Sequence, residues 1–244
     1  MLYATRGIVF HTVRYAETSL IAKLYTSQFG LRSYLIKGVH TPRSRFKPAL
    51  FQPFSLLELV VYNKERNSLQ TIKEVQLNHP YQSVHLDIRK SAIALFICEL
   101  AYKAIREEEP NRELFDFLWN SCIELDQAEG PVSHYHLVFA LRLMHHLGIY
   151  PQRNLTPQTT IFNLREGVFQ ANIPGHTNYL DEADSVLFHQ LLSVPDDAGV
   201  AFLKVILSPR KRDQILETIL LYYKLHLPGF RDLQSHHILH TVLS

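Results

Sequence analysis

The spacing of apolar residues changes once, near Pro80, and that change limits the possible folds more than any other feature of the chain. From Leu2 to Asn78 the period is close to two, in short runs rich in β-branched and aromatic residues, which is the pattern of half-buried strands. After Pro80 apolar residues recur three and four apart, as on helices with one buried face. The expected fold class is therefore α+β multidomain, with a β domain at 1–80 and an α-helical domain at 81–244. A chain of 244 residues is long enough for two such domains, each with its own core.

The strands are expected at Tyr3 to Val13, Leu20 to Thr26 and Leu31 to Lys37, then as a hairpin of Ser55 to Tyr62 and Leu69 to Leu77. Gly30 turns the second strand into the third, and a loop with Pro42, Pro48 and Pro53 precedes the hairpin. An antiparallel meander of five strands with one long connection fits a five-stranded OB-fold β-barrel, whose closure removes exposed edges. Helices are expected at Val84 to Arg106, from the cap Asn111 to about Asp126, and at Val132 to Leu147, the three sharing a bundle core. In the first of these, Ile88, Ala92, Leu95, Phe96, Leu100 and Ala101 are the expected buried face. The stretch 149–180 lacks helical period and reads as an irregular insertion with a small hairpin, Ile161 to Leu164 and Gly167 to Gln170. Further helices are expected at Asp181 to Leu192, Ala198 to Leu207, Pro209 to Leu225 behind the N-cap Ser208, and after Phe230.

Charge divides along the same line as the periodicity. Residues 1–80 hold eleven Lys and Arg against Glu17, Glu58, Glu65 and Glu74, a balance of +7, whereas residues 81–244 hold fourteen bases and nineteen acids, a balance of −5. Between Thr18 and Leu57 there are six bases and no acid, so the local potential is positive without internal neutralisation. A polyanion is the natural partner of such a barrel. Within Lys37 to Phe54, four bases (Lys37, Arg43, Arg45, Lys47) are interleaved with Phe46 and Phe51. Single-stranded nucleic acid needs both, because phosphates take cations and unstacked bases take flat apolar surfaces. A solvated basic loop with both rings in the core is the competing reading.

Cys98 and Cys122 are the two cysteines, too few for a disulfide framework or a multi-cysteine zinc site, and both read as buried free thiols. His236 and His240 stand one helical turn apart, as metal ligands can, but no carboxylate or cysteine converges on them. His134, His136, His145 and His146 are weaker candidates still, so no metal or other cofactor is expected. A nucleophile elbow, a phosphate-cradling glycine loop, paired acids and a metal triad are all missing from the sequence, and no enzymatic activity is expected. No apolar run is long enough to span a bilayer. A cytoplasmic protein is expected.

Arg6 to Leu59 resembles the start of the RecO family of bacterial DNA repair proteins: a strand, the turn Tyr15-Ala16-Glu17, the turn Thr26 to Gly30, then Lys37-Gly38, a basic loop and Gln52-Pro53-Phe54. Leu95 to Asp126 and Leu220 to Leu239 resemble later family segments. The resemblance implies an OB-fold joined to a helical domain that binds single- and double-stranded DNA, anneals complementary strands and helps load recombinase onto coated strands at the bacterial nucleoid. It implies as partners RecR, the acidic C-terminal tail of single-stranded-DNA-binding protein and, indirectly, the RecA filament. Many family members carry a four-cysteine zinc site in the irregular segment, but Pro151 to Gly175 has no cysteine here, so packing in place of metal is expected to hold that loop.

The expected DNA contacts are Arg14, Lys37, Arg43, Arg45, Phe46 and Lys47, supported by Arg6, Lys23, Arg32, Lys64 and Arg66. Arg142 and the Arg210-Lys211-Arg212 turn are the candidates for the acidic tail. One rival reading is a protein-interaction adaptor whose barrel never meets DNA. Another is a hydrolase hidden among the histidines and acids of the helical domain.

Overall fold

The computed structural model describes residues 1–39, 41, 46–64, 67–106, 109–194 and 207–243. Arg43, Arg45, Arg66 and nearly all of the expected helix at Ala198 to Leu207 lie outside them. The chain divides into two compact units, Met1–Gln127 and Ala128–Ser244.

In the first unit five strands close a barrel: β1 (Leu2–Tyr15), β2 (Ser19–Thr26), β3 (Gly30–Ile36), β4 (Leu56–Tyr62) and β5 (Leu69–Leu77), in the order β1-β2-β3-β5-β4. One expectation is corrected here. The sheet is not an antiparallel meander throughout, because β3 and β5 pair in parallel, Ser33 to Leu69 and Leu35 to Thr71. The long connection after β3 lets the β4–β5 hairpin fold back, so that β4 closes on β1 and β5 on β3. β1 runs further than expected because it serves two partners, with Leu2–Ile8 along β4 and Gly7–Tyr15 along β2. Gly7 stands where the partners change, and a Cβ there would lie 2.8 Å from Leu59 Cδ1, in a fully packed core.

The barrel is filled by Val9, Leu20, Ala22, Leu24, Tyr34, Ile36, Phe51, Leu57, Leu59, Val61 and Ile72, with Phe46 and Leu50 partly buried against them. Phe51 is 1% exposed, so it is a core residue and offers no ring to a base. Outside the barrel wall, α1 (Ile88–Ala104) and α2 (Arg112–Gln127) belong to the same unit. They bury the outward-facing Ile8, Phe10 and Tyr25: Phe10 stacks on Tyr25 at 5.7 Å, Tyr25 on Phe115 at 6.2 Å and Phe115 on Trp119 at 5.5 Å. A bulge between Val9 and His11 turns backbone carbonyls aside, and the Cys98 thiol donates to those of Phe10 (3.3 Å) and Val9 (3.5 Å). Burial pushes that thiol up to about 12, as expected of an inert core cysteine.

Gln52-Pro53-Phe54 straps the barrel to this bulge. Phe54 N–H donates to Val9 O at 2.7 Å, and Val9 N–H to Ser55 O at 3.0 Å. The Tyr81 hydroxyl donates to Phe54 O at 2.6 Å, its ring stacked on Phe54 at 5.9 Å. These contacts hold Phe54 at φ 75°, a left-handed conformation that costs a non-glycine residue roughly 1–2 kcal/mol.

α1 starts at Ile88, after the N-cap Asp87, later than its apolar pattern suggests. Two residues of the expected buried face are on the outside, Ile88 at 71% and Leu95 at 39% exposed. The helix is apolar on several sides because the barrel and α2 both press on it, so a single-face reading picks the wrong stripe. The expected three-helix bundle is also corrected. α1 and α2 pack with the barrel, while α3 (Tyr135–His146) packs with α5 (Pro209–His226) in the second unit.

The second unit also holds α4 (Glu182–Leu192), α6 (Ser235–Leu243) and a small sheet of β6 (Ile161–Asn163), β7 (Val168–Gln170) and β8 (Tyr179–Leu180), in the order β7-β6-β8. The expected hairpin is its centre. Phe162 meets Phe169 at 4.8 Å, Phe188 at 5.0 Å and Tyr222 at 6.3 Å, and each fully buried ring contributes on the order of 1.5–3 kcal/mol. Asn154 clamps Phe169 by accepting from its N–H and donating to its carbonyl, both at 2.9 Å. The Asn163 carboxamide accepts the Arg165 N–H in the turn at 3.0 Å. This hydrogen-bonded aromatic cluster holds the hairpin and the segment before it together.

Gly167 closes the turn at φ +68°, and a Cβ there would lie 2.5 Å from the hydroxyl of buried Tyr222. Gly167→Ala therefore combines backbone strain with overpacking, and thermal or urea unfolding is expected to register a loss of about 2–3 kcal/mol. An unchanged stability would mean that Tyr222 can move aside.

Candidate nucleic-acid interface

The outer face of β1–β2–β3 is built in rows fixed by strand register. Ile8, Tyr25 and Leu31 form the first and lie opposite one another, with Ile8 and Tyr25 buried by the helices. His11, Lys23 and Ser33 form the second, with the His11 ring stacked on Tyr102 of α1 at 5.3 Å. Val13, Ile21 and Leu35 form the third. Tyr15 pairs with Ser19 in the fourth, where Lys37 follows two residues after Leu35. Helical cover stops at the second row, since Val13 is 53% and Tyr15 51% exposed.

Lys37, Lys47 and Lys64 are exposed and Lys23 is half-buried; none has a carboxylate partner among the described residues. Arg14 is exposed at the end of β1, where it donates to the carbonyl of Glu17 at 3.3 Å. Arg32 is half-buried, on the strand face that carries Leu24 and Tyr34. Phe46 leans on the barrel core and Lys47 directly precedes the single 3-10 turn Pro48–Phe51. Lys23, Lys37, Lys47 and Lys64 need no rearrangement of a described ion pair to meet a phosphate.

Arg6 is placed differently. Its guanidinium lies over the rings of Trp119 (5.0 Å) and Phe115 (5.2 Å) and pairs with Asp116 at 3.2 Å. A guanidinium on an aromatic face with a carboxylate beside it is largely committed to holding α2 on the barrel. β1, β4 and β5 carry Glu58 and Glu74, and with Arg6 they line a cavity of about 390 Å³. Strands β1, β2 and β3 carry no acid along their lengths, and Glu17 stands exposed in the turn between β1 and β2.

In the second unit, Arg210 is exposed, Lys211 pairs with Asp184, and Arg212 is 4% exposed with its guanidinium donating to the Leu243 carbonyl. Arg212 therefore tethers the end of α6 from inside the unit. Arg142 is half-buried on α3. Burial, with the Arg212 charge next and His134 after it, pushes buried His136 down to about 3, so this histidine is neutral near pH 7. His240 is held by Asp213 at 2.7 Å and His226 by the Leu164 carbonyl at 2.8 Å. Among the described residues no group of three or more His, Cys, Asp or Glu could hold a metal ion, and no helix is long and apolar enough to cross a membrane.

Sequence patterning registered the cations and missed the apolar row in which Val13 is exposed and Ile21 and Leu35 are half-buried. Val13, Ile21 and Leu35 look like core residues of alternating strands; only the point at which helical cover ends makes them surface. The sign available in the sequence is the alternation of Val13 and Tyr15 across from Ile21.

Profiles of known families match both parts of the chain: "Recombination protein O N terminal" over residues 1–81 and "Recombination protein O C terminal" over residues 85–235. DNA repair protein RecO of Bacteroides fragilis is 37% identical over 238 residues, 96% of each chain. The proteins of the same description from Phocaeicola vulgatus and Christiangramia forsetii are 33% and 34% identical over 244 residues, covering 100% and 99% of both chains.

Proposed function

The chain belongs to the recombination protein O family, with a role in DNA repair and recombination, and on that premise we propose that it is a non-enzymatic mediator that binds single- and double-stranded DNA and anneals complementary strands. The observation that carries this reading is the β1–β2–β3 wall, whose strands carry no acid, with Lys23 in its surface rows, Lys37 just past the end of β3 and Arg14 at the end of β1. Cations at these positions offset the repulsion between two approaching strands, and annealing then needs no bond made or broken. Contacts to phosphate carry no sequence information, so no sequence preference is expected.

Arg43, Arg45 and Arg66 extend the same positive field in the sequence, with Arg32, Phe46 and Lys64 as supporting contacts. Partners on this reading are RecR, the acidic tail of single-stranded-DNA-binding protein and, through loading, the RecA filament at the nucleoid. Of the candidates for the tail, Arg142 and Arg210 to Arg212, exposed Arg210 is the better one in its turn, since Lys211 and Arg212 are engaged within their unit. The testing experiment follows hybridisation of two complementary oligonucleotides. The protein is expected to accelerate annealing of bare strands and of strands coated with single-stranded-DNA-binding protein. No acceleration of either would favour a protein adaptor.

A further inference from the structure

Val13, Ile21 and Leu35 lie directly opposite one another across three strands, with Val13 exposed and Ile21 and Leu35 half-buried. Same-face rows on a sheet are about 6.6 Å apart. One row to one side stands Lys23, between His11 and Ser33; one row to the other side stand Tyr15 and the residue after Ile36, Lys37. Phe10, Tyr25, Tyr34, Phe51 and Phe54 of the barrel are all buried, whereas Tyr15 presents half of its surface to solvent beside these lysines. An apolar stripe with one lysine to either side, Lys23 within β2 and Lys37 just past β3, matches a ligand whose flat apolar groups alternate with negative charge along its length. A protein partner would need acidic residues spaced to the same two rows, while a single strand of nucleic acid has that arrangement in every nucleotide. A duplex does not, because its bases are stacked on each other and present only phosphates to a flat sheet.

We infer that the Val13–Ile21–Leu35 stripe and Tyr15 form a base-stacking platform, so that this face selects single-stranded over double-stranded DNA, with Lys23 and Lys37 on the phosphates. The inference rests on the DNA-binding reading above. It assigns the discrimination between strands to Tyr15, which a purely electrostatic barrel would lack.

The test compares the wild type with Tyr15→Ala and Tyr15→Phe on three fluorescent probes of equal length: oligothymidylate, the same phosphodiester backbone with abasic residues, and a duplex. Tyr15→Ala is expected to lower affinity for oligothymidylate about tenfold with an unchanged salt slope, to leave the abasic strand and the duplex unaffected, and to be rescued by Tyr15→Phe. Equal loss on all three probes, or no loss on oligothymidylate, overturns the platform. Salt-dependent wild-type binding with an indifferent Tyr15→Ala overturns this inference alone; failure of the wild type to bind any probe overturns the DNA reading with it. Because Tyr15 is exposed, Tyr15→Ala is expected to melt with the wild type. A Val13→Ser variant serves as a second probe of the stripe.

Discussion

Replacing Asp126 by Ala is expected to destabilise the first unit by about 3–5 kcal/mol, the range for breaking a buried, hydrogen-bonded charge. Asp126 ends α2 with its side chain 3% exposed. Its carboxylate accepts the N–H groups of Ser83 at 2.8 Å and of Gln82 and Val84 at 3.1 Å, and meets His79 Nε2 at 3.0 Å. Its backbone carbonyl accepts from buried Lys90 at 2.9 Å. One residue therefore pins the segment that leaves the barrel and enters α1, and its truncation strands three backbone donors. Burial alone would raise this acid, but the donors from Ser83, Gln82 and Val84, with His79, outweigh it and hold the carboxyl well below the usual carboxylate range. A group depressed in the folded state stabilises fully above its unfolded value, near about pH 4, and loses that contribution as pH falls through the folded value. The gap between wild type and Asp126→Asn should accordingly narrow as pH drops below about 4. Trp119 is the one tryptophan in the chain and lies in this unit, so its fluorescence in urea reports the effect directly. A loss below about 1 kcal/mol would mean that water replaces the carboxylate.

The second large effect concerns binding. Lys23→Ala, Lys37→Ala and Lys47→Ala together are expected to flatten the plot of log affinity against log salt for a single strand by about 2 units, at roughly 0.7 per phosphate contact. Near 0.1 M salt this amounts to about a 100-fold loss, while stability should shift by no more than about 0.5 kcal/mol per site. The neighbouring triple at Arg43, Arg45 and Lys47 tests the proline-flanked loop in the same way. Arg6→Ala should behave in the opposite sense, changing stability more than salt slope, because its guanidinium is committed to Trp119, Phe115 and Asp116. An unchanged slope in both triple variants would move the strand off this side of the barrel.

Much of this could be read in the sequence, and the failures have physical causes. Strand positions followed from alternation because a barrel wall is buried on one side, and the hairpin of the insertion followed from Arg165-Glu166-Gly167. The parallel β3–β5 pair could not follow, since alternation says which face is buried and nothing about the neighbouring strand. The stripe on α1 was misplaced at Ile88 and Leu95 because a helix covered from two directions has no single apolar face. Charge counting marked one side of the barrel and treated every cation alike. Only the structure separates Arg6, engaged by an aromatic pair, and Arg212, buried against the Leu243 carbonyl, from lysines open to solvent. Asp126 gave no sign at all, because its partners are backbone N–H groups more than forty residues away.

The central claim is that the barrel meets DNA through phosphate contacts made by its basic side chains. Titration of fluorescent oligothymidylate with the wild-type protein over a series of salt concentrations tests it most directly. If Arg14, Lys23, Lys37, Lys47 and Lys64 each reach a phosphate, log affinity should fall against log salt with a slope of about −3.5. A slope near zero, or no binding at low salt, would contradict the claim.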